Sequence, residues 1–304
     1  MATLSLRRFT RLTANKSRYS YRQLHQIPFL KTAPKSQKIK MASTAAENST
    51  QTEDSPLPQF LQEYIKSSMK YKERSHQTLE QIHRPALEAI PQDPTQPAFD
   101  VIFIGDSMIE RLKTTGQKTN LHNFPRSFNL GVGGDKIENV LYRLHTGYIP
   151  LLAQRSTKLW VVHIGTNNLR MKKGLRDTEP SDYWNFRVLI QTLWYLSPGS
   201  KILVTGIFRR KDIGDKLIET ANEKLKENLE ELSKDPTSMT RTSLPELEPD
   251  NTTFFWQEPD EAIGFDVLED HAHLNKEGYR LWDESIYPRV LEILALGESK
   301  PSQE

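Results

Sequence analysis

The chain has 304 residues, of which 36% are hydrophobic, and a formal net charge of +2. This length is enough for one sizeable domain with extensions. Cysteine is absent, which excludes disulfides, thiolate nucleophiles and cysteine-based zinc sites. No apolar run reaches the roughly 18 residues that a membrane-spanning helix needs, so we expect no transmembrane segment.

The net charge hides an uneven distribution along the chain. Residues 1–46 contain ten Lys or Arg and no Asp or Glu, which leaves 31 basic and 39 acidic residues in the remainder. Because the chain after residue 46 is mildly acidic overall, we expect it to have no basic surface that would bind a polyanion. We therefore predict no nucleic-acid partner.

The first segment, residues 1–45, is rich in Arg, Ser and Thr and lacks the continuous apolar stretch of a secretory signal. These features are typical of a mitochondrial presequence. A basic disordered tail is the alternative, and translation from Met41 would give a cytoplasmic form. Residues 46–97 are expected to hold a linker and N-terminal helices that pack on the main domain, residues 98–296. Residues 297–304 form a tail.

Short apolar runs alternate with amphipathic stretches from residue 99 onward. After one or two helices within residues 58–90, strands are predicted over residues 99–104, 127–130, 159–164, 201–205 and 252–256. Helices are predicted over residues 107–112, 136–144, 181–196, 214–233 and 275–294, with a polar loop over 234–251. Regular alternation of strand and helix indicates a three-layer α/β/α fold around a parallel sheet of about five strands.

Four short segments carry groups suited to hydrolytic chemistry, and they fall just after strands or before the last helix. They are Gly105-Asp106-Ser107, Gly131-Val-Gly-Gly-Asp135, Gly165-Thr-Asn-Asn168 and Asp270-His-Ala-His273. The carboxyl ends of parallel strands meet at one edge, where ligands bind in such sheets. A serine hydroxyl becomes a nucleophile when an oriented base takes its proton. If the last segment turns helically, Asp270 and His273 share a face.

Read together, these segments resemble those of the GDSL, or SGNH, family of serine esterases and acylhydrolases. Within that family the sequences of these segments are most similar to those of the catalytic subunits of intracellular platelet-activating-factor acetylhydrolases. The resemblance covers about residues 98–296. Two positions depart from the family pattern: Met108 stands where the family name has Leu, and Asn168 stands where many members have Asp.

The resemblance implies a flavodoxin-like SGNH hydrolase fold and a role for each site residue. Ser107 is expected to be the nucleophile, His273 its base and Asp270 the group that orients the base. The backbone N–H groups of Ser107 and Gly134 and the side-chain amide of Asn167 are expected to form the oxyanion hole. Small acyl groups and a homodimer are further implications of the same resemblance.

Each of these residues also has a simpler interpretation. Ser107 could be a helix N-cap, Asn167 could brace its loop, and His271 is a rival to His273 as the base. Gly131 and Gly133 are interpreted as turn glycines. The basic segments Arg170–Arg176 and Arg209–Lys211 could meet an anionic substrate group, although solvated loop charge is the preferred interpretation.

No cofactor is predicted. The glycine segment lacks the third glycine of a dinucleotide fingerprint and belongs to the second strand–helix unit. The Asp and His residues of the last segment lack the further clustered ligands of a metal site.

We therefore predict a metal-independent serine esterase that takes a small ester substrate. A catalytically silent partner-binding protein and an acyltransferase using the same site are the alternatives.

Overall fold

The fold is built on a five-stranded parallel sheet. The computed structural model describes residues 55–91, 97–153, 155–235 and 253–296. The strands are β1 (Phe99–Gly105), β2 (Ser127–Asn129), β3 (Thr157–His163), β4 (Lys201–Thr205) and β5 (Phe254–Gln257). Their order across the sheet is β2-β1-β3-β4-β5, and every pairing is parallel. This is the flavodoxin-like order, with its switch point between β1 and β3.

The central strands β1, β3 and β4 form because their apolar runs are buried on both faces. Successive side chains of a strand point to opposite faces, and β1 divides in that way between two core clusters. Ile102 and Ile104 belong to one cluster, whereas Val101 and Phe103 belong to the other. Such continuous apolar strands are typical of parallel sheets covered by helices on both sides.

Helices cover both faces of this sheet. The α-helices in the described ranges are α1 (Gln59–Ser68), α2 (Glu73–Thr78), α3 (Arg84–Glu88), α4 (Ser107–Glu110), α5 (Ile137–Arg143), α6 (Ile149–Leu152), α7 (Asp182–Leu196), α8 (Asp215–Lys234) and α9 (Lys276–Ala295). Side chains of α1, α5, α7 and α8 join the first core cluster, and those of α4 and α9 join the second. The predicted three-layer α/β/α fold is confirmed.

The stretch before β1 is continuous helix from α2 to α3, joined by a π-helical turn at Leu79–His83. Leu61 and Ile65 of α1 are fully buried in the same core cluster as the sheet. A second π-helical turn, Leu144–Tyr148, extends α5 into α6. The sequence did not predict this extension because Gly147 and Pro150 argue against a helix. Pro150 lies just after this π-helical turn, as the second residue of α6.

Several predicted segments lie outside the described residues. These are residues 1–45, the tail 297–304 and most of the loop 234–251. Within the described ranges, every helix is too short or too polar to cross a membrane.

Candidate active site

Ser107 is the first residue of α4, directly after β1. The N-cap of this helix is Asp106, whose Oδ1 accepts a hydrogen bond of 3.0 Å from the backbone N–H of Met108. The interpretation of Ser107 as the N-cap is therefore wrong. Since Ser107 stands at the first helical position, its own N–H has no partner within the helix. The residue is 6% exposed.

The imidazole of His273 connects Ser107 to Asp270. Ser107 Oγ donates to His273 Nε2 over 2.9 Å, and His273 Nδ1 donates to Asp270 Oδ2 over 2.7 Å. With Nδ1 protonated toward the carboxylate, the lone pair of Nε2 faces the serine hydroxyl. A hydroxyl, an imidazole and a carboxylate in this order can generate a serine nucleophile.

A side-chain-stabilised turn brings Asp270 to His273. Asp270 Oδ1 accepts hydrogen bonds of 2.8 Å from the backbone N–H groups of Ala272 and His273. The ends of the turn are closed by the antiparallel bridge between Leu268 and Leu274. The segment does not turn helically, because the carboxylate accepts from N–H groups that a helix would direct at backbone carbonyls.

The same contacts hold the Asp270 carboxylate in its charged form. Partial burial opposes ionisation, but the two backbone N–H donors and the His273 imidazole outweigh it and lower the pKa of Asp270. The rival base, His271, is exposed, and Ser107 hydrogen-bonds to His273 instead.

The loop after β2 packs against the first turn of α4. A Cβ atom on Gly131 would lie 2.3 Å from the backbone nitrogen of Glu110, and one on Gly133 would lie 2.6 Å from Glu110 Oε2. Neither glycine has a positive φ angle. Gly131 is required by the close approach of this loop to the helix that carries Ser107, because its neighbours there are backbone atoms. Gly133 lies in the turn closed by the hydrogen bond from the Asp135 N–H to the Val132 carbonyl oxygen, so its interpretation as a turn glycine is confirmed.

Gly134 differs from its neighbours because its φ angle is +75°, in the left-handed region that favours glycine. A Cβ atom there would lie 3.0 Å from Lys72 Nζ. Gly134 is exposed, and its N–H group is free of hydrogen bonds to the described part of the chain.

The loop after β3 is tied to the same region. Asn167 Nδ2 donates one hydrogen to the carbonyl oxygen of Asp135 over 2.9 Å, which leaves its second hydrogen for another acceptor. The Asp135 contact fixes the plane of the Asn167 amide beside the segment that contains Gly134. The structure thus brings together the three loops that the sequence analysis singled out at the ends of β1, β2 and β3.

The hydrogen bonds of the Asn168 side chain explain why an amide stands at this position, where many family members have Asp. Its Oδ1 accepts from the backbone N–H of Ile137 over 3.1 Å. Its Nδ2 donates to Glu138 Oε2 over 2.9 Å and to Asp182 Oδ1 over 3.0 Å. An aspartate at this position would place a third carboxylate beside two others and lose both donors, so these neighbours favour the amide.

Arginines of both basic segments near the site form hydrogen bonds and ion pairs with other groups of the protein. Arg210 donates to the Thr166 carbonyl oxygen over 2.9 Å and pairs with Asp212, while Arg176 pairs with Asp182. These contacts brace the loop after β3. Met108 is buried among apolar side chains, where its replacement of Leu conserves volume and character.

Two ionisable groups beside the site are buried at the ends of strands. Burial raises the pKa of Asp106 to about 7, against the opposing hydrogen bond from the Met108 N–H. Burial lowers the pKa of His163, at the end of β3, to about 3. His163 Nδ1 lies 2.8 Å from Thr205 Oγ1. In the described ranges, no three His, Asp or Glu side chains are placed to hold a metal ion together.

The fold and this constellation define a class of α/β enzymes with a serine beside an imidazole and a carboxylate. The chain belongs to the GDSL-like lipase/acylhydrolase family, whose model matches residues 103–281. It is accordingly a hydrolase that acts on ester bonds.

Individual relatives are distant. The chain is 25% identical over 198 residues to platelet-activating factor acetylhydrolase IB subunit alpha2 of Homo sapiens, a match that covers 64% of this chain and 77% of the relative. It is 23% identical over 213 residues to subunit alpha1 of Rattus norvegicus, covering 70% of this chain and 82% of the relative. A solved structure of a candidate acylhydrolase from Bacteroides fragilis has a TM-score of 0.51 at 17% identity, covering 74% of this chain and all of that one. This last likeness supports the fold alone.

Some residues around the site were not anticipated from the sequence. Glu110 accepts the N–H of Gly133 over 3.0 Å. Arg143 is fully buried and donates to Asp135 Oδ2 over 2.9 Å and to the Leu130 carbonyl oxygen over 2.7 Å. Lys72 reaches the same loop from the N-terminal helices. An arginine on an amphipathic helix is ordinarily solvent-facing, so only the position of Arg143 directly behind a glycine-rich loop could have signalled its role.

Proposed function

We propose that the chain hydrolyses carboxylic esters with small acyl groups through an acyl intermediate on Ser107. The observation that carries this proposal is the hydrogen bond of 2.9 Å between Ser107 Oγ and His273 Nε2, with Asp270 on the other ring nitrogen. A hydroxyl that already donates to an oriented imidazole can transfer its proton as it attacks.

In the first half of the reaction, Ser107 Oγ forms a bond to the ester carbonyl carbon and its proton passes to His273 Nε2. The carbonyl oxygen becomes an oxyanion. The proposed donors to it are the N–H groups of Ser107 and Gly134 and the Asn167 amide hydrogen that Asp135 leaves free. One such donor contributes about 2.7–4 kcal/mol of barrier lowering in other hydrolases.

The tetrahedral intermediate then collapses. The bond between the carbonyl carbon and the alkoxy oxygen breaks, and the leaving alcohol takes the proton from His273 Nε2. In the second half, His273 Nε2 removes a proton from water as the water oxygen bonds to the acyl carbonyl carbon. The bond between that carbon and Ser107 Oγ then breaks, Ser107 Oγ takes the proton back from His273 Nε2, and the carboxylic acid is released. The charged Asp270 carboxylate stabilises the imidazolium formed in each half.

The preference for small acyl groups is supported by the curated relatives. Their name describes acetylhydrolases of platelet-activating factor, so an acetyl group is the substrate moiety to test first. Initial rates with p-nitrophenyl esters from acetate to palmitate test this part separately. We expect the highest kcat/KM with acetate to butyrate, and a maximum at long chains would contradict the small-acyl proposal while leaving ester hydrolysis in place.

The role of Ser107 is tested with Ser107→Ala. We expect loss of p-nitrophenyl acetate turnover and of labelling by a fluorophosphonate probe, with the thermal unfolding temperature close to that of the wild type. Ser233→Ala is the matched control, because its hydroxyl only bonds a backbone carbonyl within α8. Unchanged turnover in Ser107→Ala would defeat the proposal. Absence of labelling in the wild-type protein would favour a catalytically silent binding protein.

A further inference from the structure

Lys72 contacts the loop that carries Gly134 from outside the region matched by the family model. It is the N-cap residue of α2, in the N-terminal helices. Its Nζ donates to the carbonyl oxygen of Gly133 over 3.1 Å and lies 3.3 Å from Asp135 Oδ1. The side chain is 30% exposed, so the ammonium is partly withdrawn from water at this contact.

The carbonyl oxygen that Lys72 binds belongs to the same peptide group as the Gly134 N–H. A trans peptide is planar, and its C=O and N–H point in opposite directions. A donor fixed on the Gly133 oxygen therefore also fixes the direction of the Gly134 N–H. Since the donor is charged, it polarises the peptide and strengthens the N–H on the far side as a hydrogen-bond donor.

The ammonium is itself held in place. Asp135 is fully buried, and its carboxylate accepts from Arg143 Nε through Oδ2 and from Ser75 Oγ through Oδ1. Lys72 shares Oδ1 with Ser75. A carboxylate anchored on both oxygens gives the lysine a fixed counter-charge, unlike an exposed pair between two mobile side chains.

Gly133 is also fixed at its other polar group, because its N–H donates to Glu110 Oε2 over 3.0 Å. Glu110 lies one turn after Ser107 on α4. The peptide flanking Gly134 is therefore held between α4, which carries the serine, and the N-terminal helices, which carry the lysine.

We infer that Lys72 is a positioning residue for the oxyanion hole: its ammonium orients and polarises the Gly133–Gly134 peptide so that the Gly134 N–H donates to the oxyanion. This role rests on the proposed function, in which that N–H is an oxyanion donor. It also makes the N-terminal helices part of the catalytic apparatus, whereas the family match begins at residue 103.

The absence of cysteine from the chain provides a selective test. In Lys72→Cys the introduced thiol is unique. Alkylation with 2-bromoethylamine adds an aminoethyl group and restores an ammonium at nearly the length of lysine. A propyl disulfide adduct of the same thiol restores the volume without the charge.

With the neutral substrate p-nitrophenyl acetate, we expect Lys72→Cys to lower kcat about 10- to 100-fold, with KM changed less than about twofold. This loss is smaller than that for a direct oxyanion donor, because the N–H remains. Aminoethylation should restore most of kcat, and the propyl adduct should not. If the cysteine variant folds poorly, kcat and KM are measured for Lys72→Met, a second variant whose side chain is similar in volume to that of lysine.

Lys201→Met is the matched control. Lys201 Nζ also donates to a backbone carbonyl, that of Ile293 over 2.8 Å, but Lys201 begins β4, whereas the site follows the carboxyl ends of the strands. It should keep kcat. Unchanged kcat in Lys72→Cys, a change confined to KM, or equal recovery with the propyl adduct would each overturn the role of Lys72.

Ser107→Ala is measured in parallel to separate the two proposals. If Ser107→Ala retains turnover, the proposed function fails. If Ser107→Ala loses turnover while Lys72→Cys retains its kcat, only the positioning role fails.

Discussion

Asp106 should make the stability of this protein fall as pH rises toward neutrality, and Asp106→Asn should remove that dependence. The carboxyl group is fully buried before Ser107. Its Oδ1 accepts the Met108 N–H over 3.0 Å, but its Oδ2 has no hydrogen-bond partner in the described part of the chain. Burial penalises the charged form and outweighs the Met108 hydrogen bond and the charges of Arg210 and Lys72, so it raises the pKa of Asp106 to about 7.

The sign and size of the effect follow from proton linkage. In the unfolded chain an aspartate ionises near a pKa of about 3.9, whereas in the folded chain Asp106 keeps its proton up to about pH 7. Between these values the folded state binds more protons, so the free energy of unfolding decreases as pH rises. Three units at about 1.4 kcal/mol each amount to about 4 kcal/mol. The contribution is complete below about pH 4 and lost by about pH 7.

Urea unfolding of the wild type and Asp106→Asn from pH 4.5 to 8 measures this difference. Asparagine is shaped like a protonated aspartate and cannot ionise. We expect the free energy of unfolding of the variant to rise relative to the wild type by about 3–4 kcal/mol across that range. A difference that stays constant with pH would refute the reasoning.

Asp100, at the other end of β1, supplies a matched control. Partial burial works against its ionisation, but Arg126 and Lys158 outweigh this and lower its pKa. Its contribution is present above the unfolded pKa and is lost only as pH falls below it. Asp100→Asn should therefore differ from the wild type by a nearly constant amount from pH 4.5 to 8.

Three further predictions concern the site, a buried histidine and the N-terminal segment. Asp270→Asn should lower kcat about 10³- to 10⁴-fold, because an amide favours the wrong imidazole tautomer; steady-state kinetics with p-nitrophenyl acetate check this, and a loss below tenfold would contradict it. Burial lowers the pKa of His163 to about 3, so its contribution to stability is complete above about pH 6.5 and lost as pH falls; urea unfolding of His163→Gln from pH 4 to 7 should show a smaller loss of stability at acidic pH than the wild type, and parallel curves would argue against it. Residues 1–45 fused to a fluorescent protein should reach mitochondria, and fluorescence confined to the cytosol would contradict the presequence interpretation.

The fold could be predicted from the sequence because β1, β3 and β4 are short apolar runs that are buried on both faces. The run from Phe99 to Ile104 has no polar residue except Asp100, near the amino end of β1. Alternation with helices then leaves the parallel three-layer arrangement as the natural solution. The extension through Leu144–Tyr148 was missed because tertiary packing of Leu144 and Tyr148, both fully buried, overrides the local preferences of Gly147 and Pro150.

Part of the site was also predictable. Ser107, Asp270 and His273 lie in short segments whose residue types suit one chemistry, and the structure places their side chains in hydrogen-bonding contact. The route by which Asp270 reaches His273 was not predictable from the i, i+3 spacing, since a helix and a side-chain-stabilised turn both bring these positions together.

The contrast between Gly131 and Lys72 shows which kind of contact can be recognised in the amino-acid sequence. Gly131 must lack a side chain because the backbone of Glu110 would lie 2.3 Å from a Cβ atom. Close backbone approaches of this kind impose fixed residue types at fixed spacings, and so they appear as motifs. Lys72 reaches the Gly133 carbonyl through a long flexible side chain from a position 61 residues away, and several backbone positions would allow the same contact. A catalytic loop can therefore be recognised from its own glycines, whereas the charge that orients it becomes visible only in the folded chain.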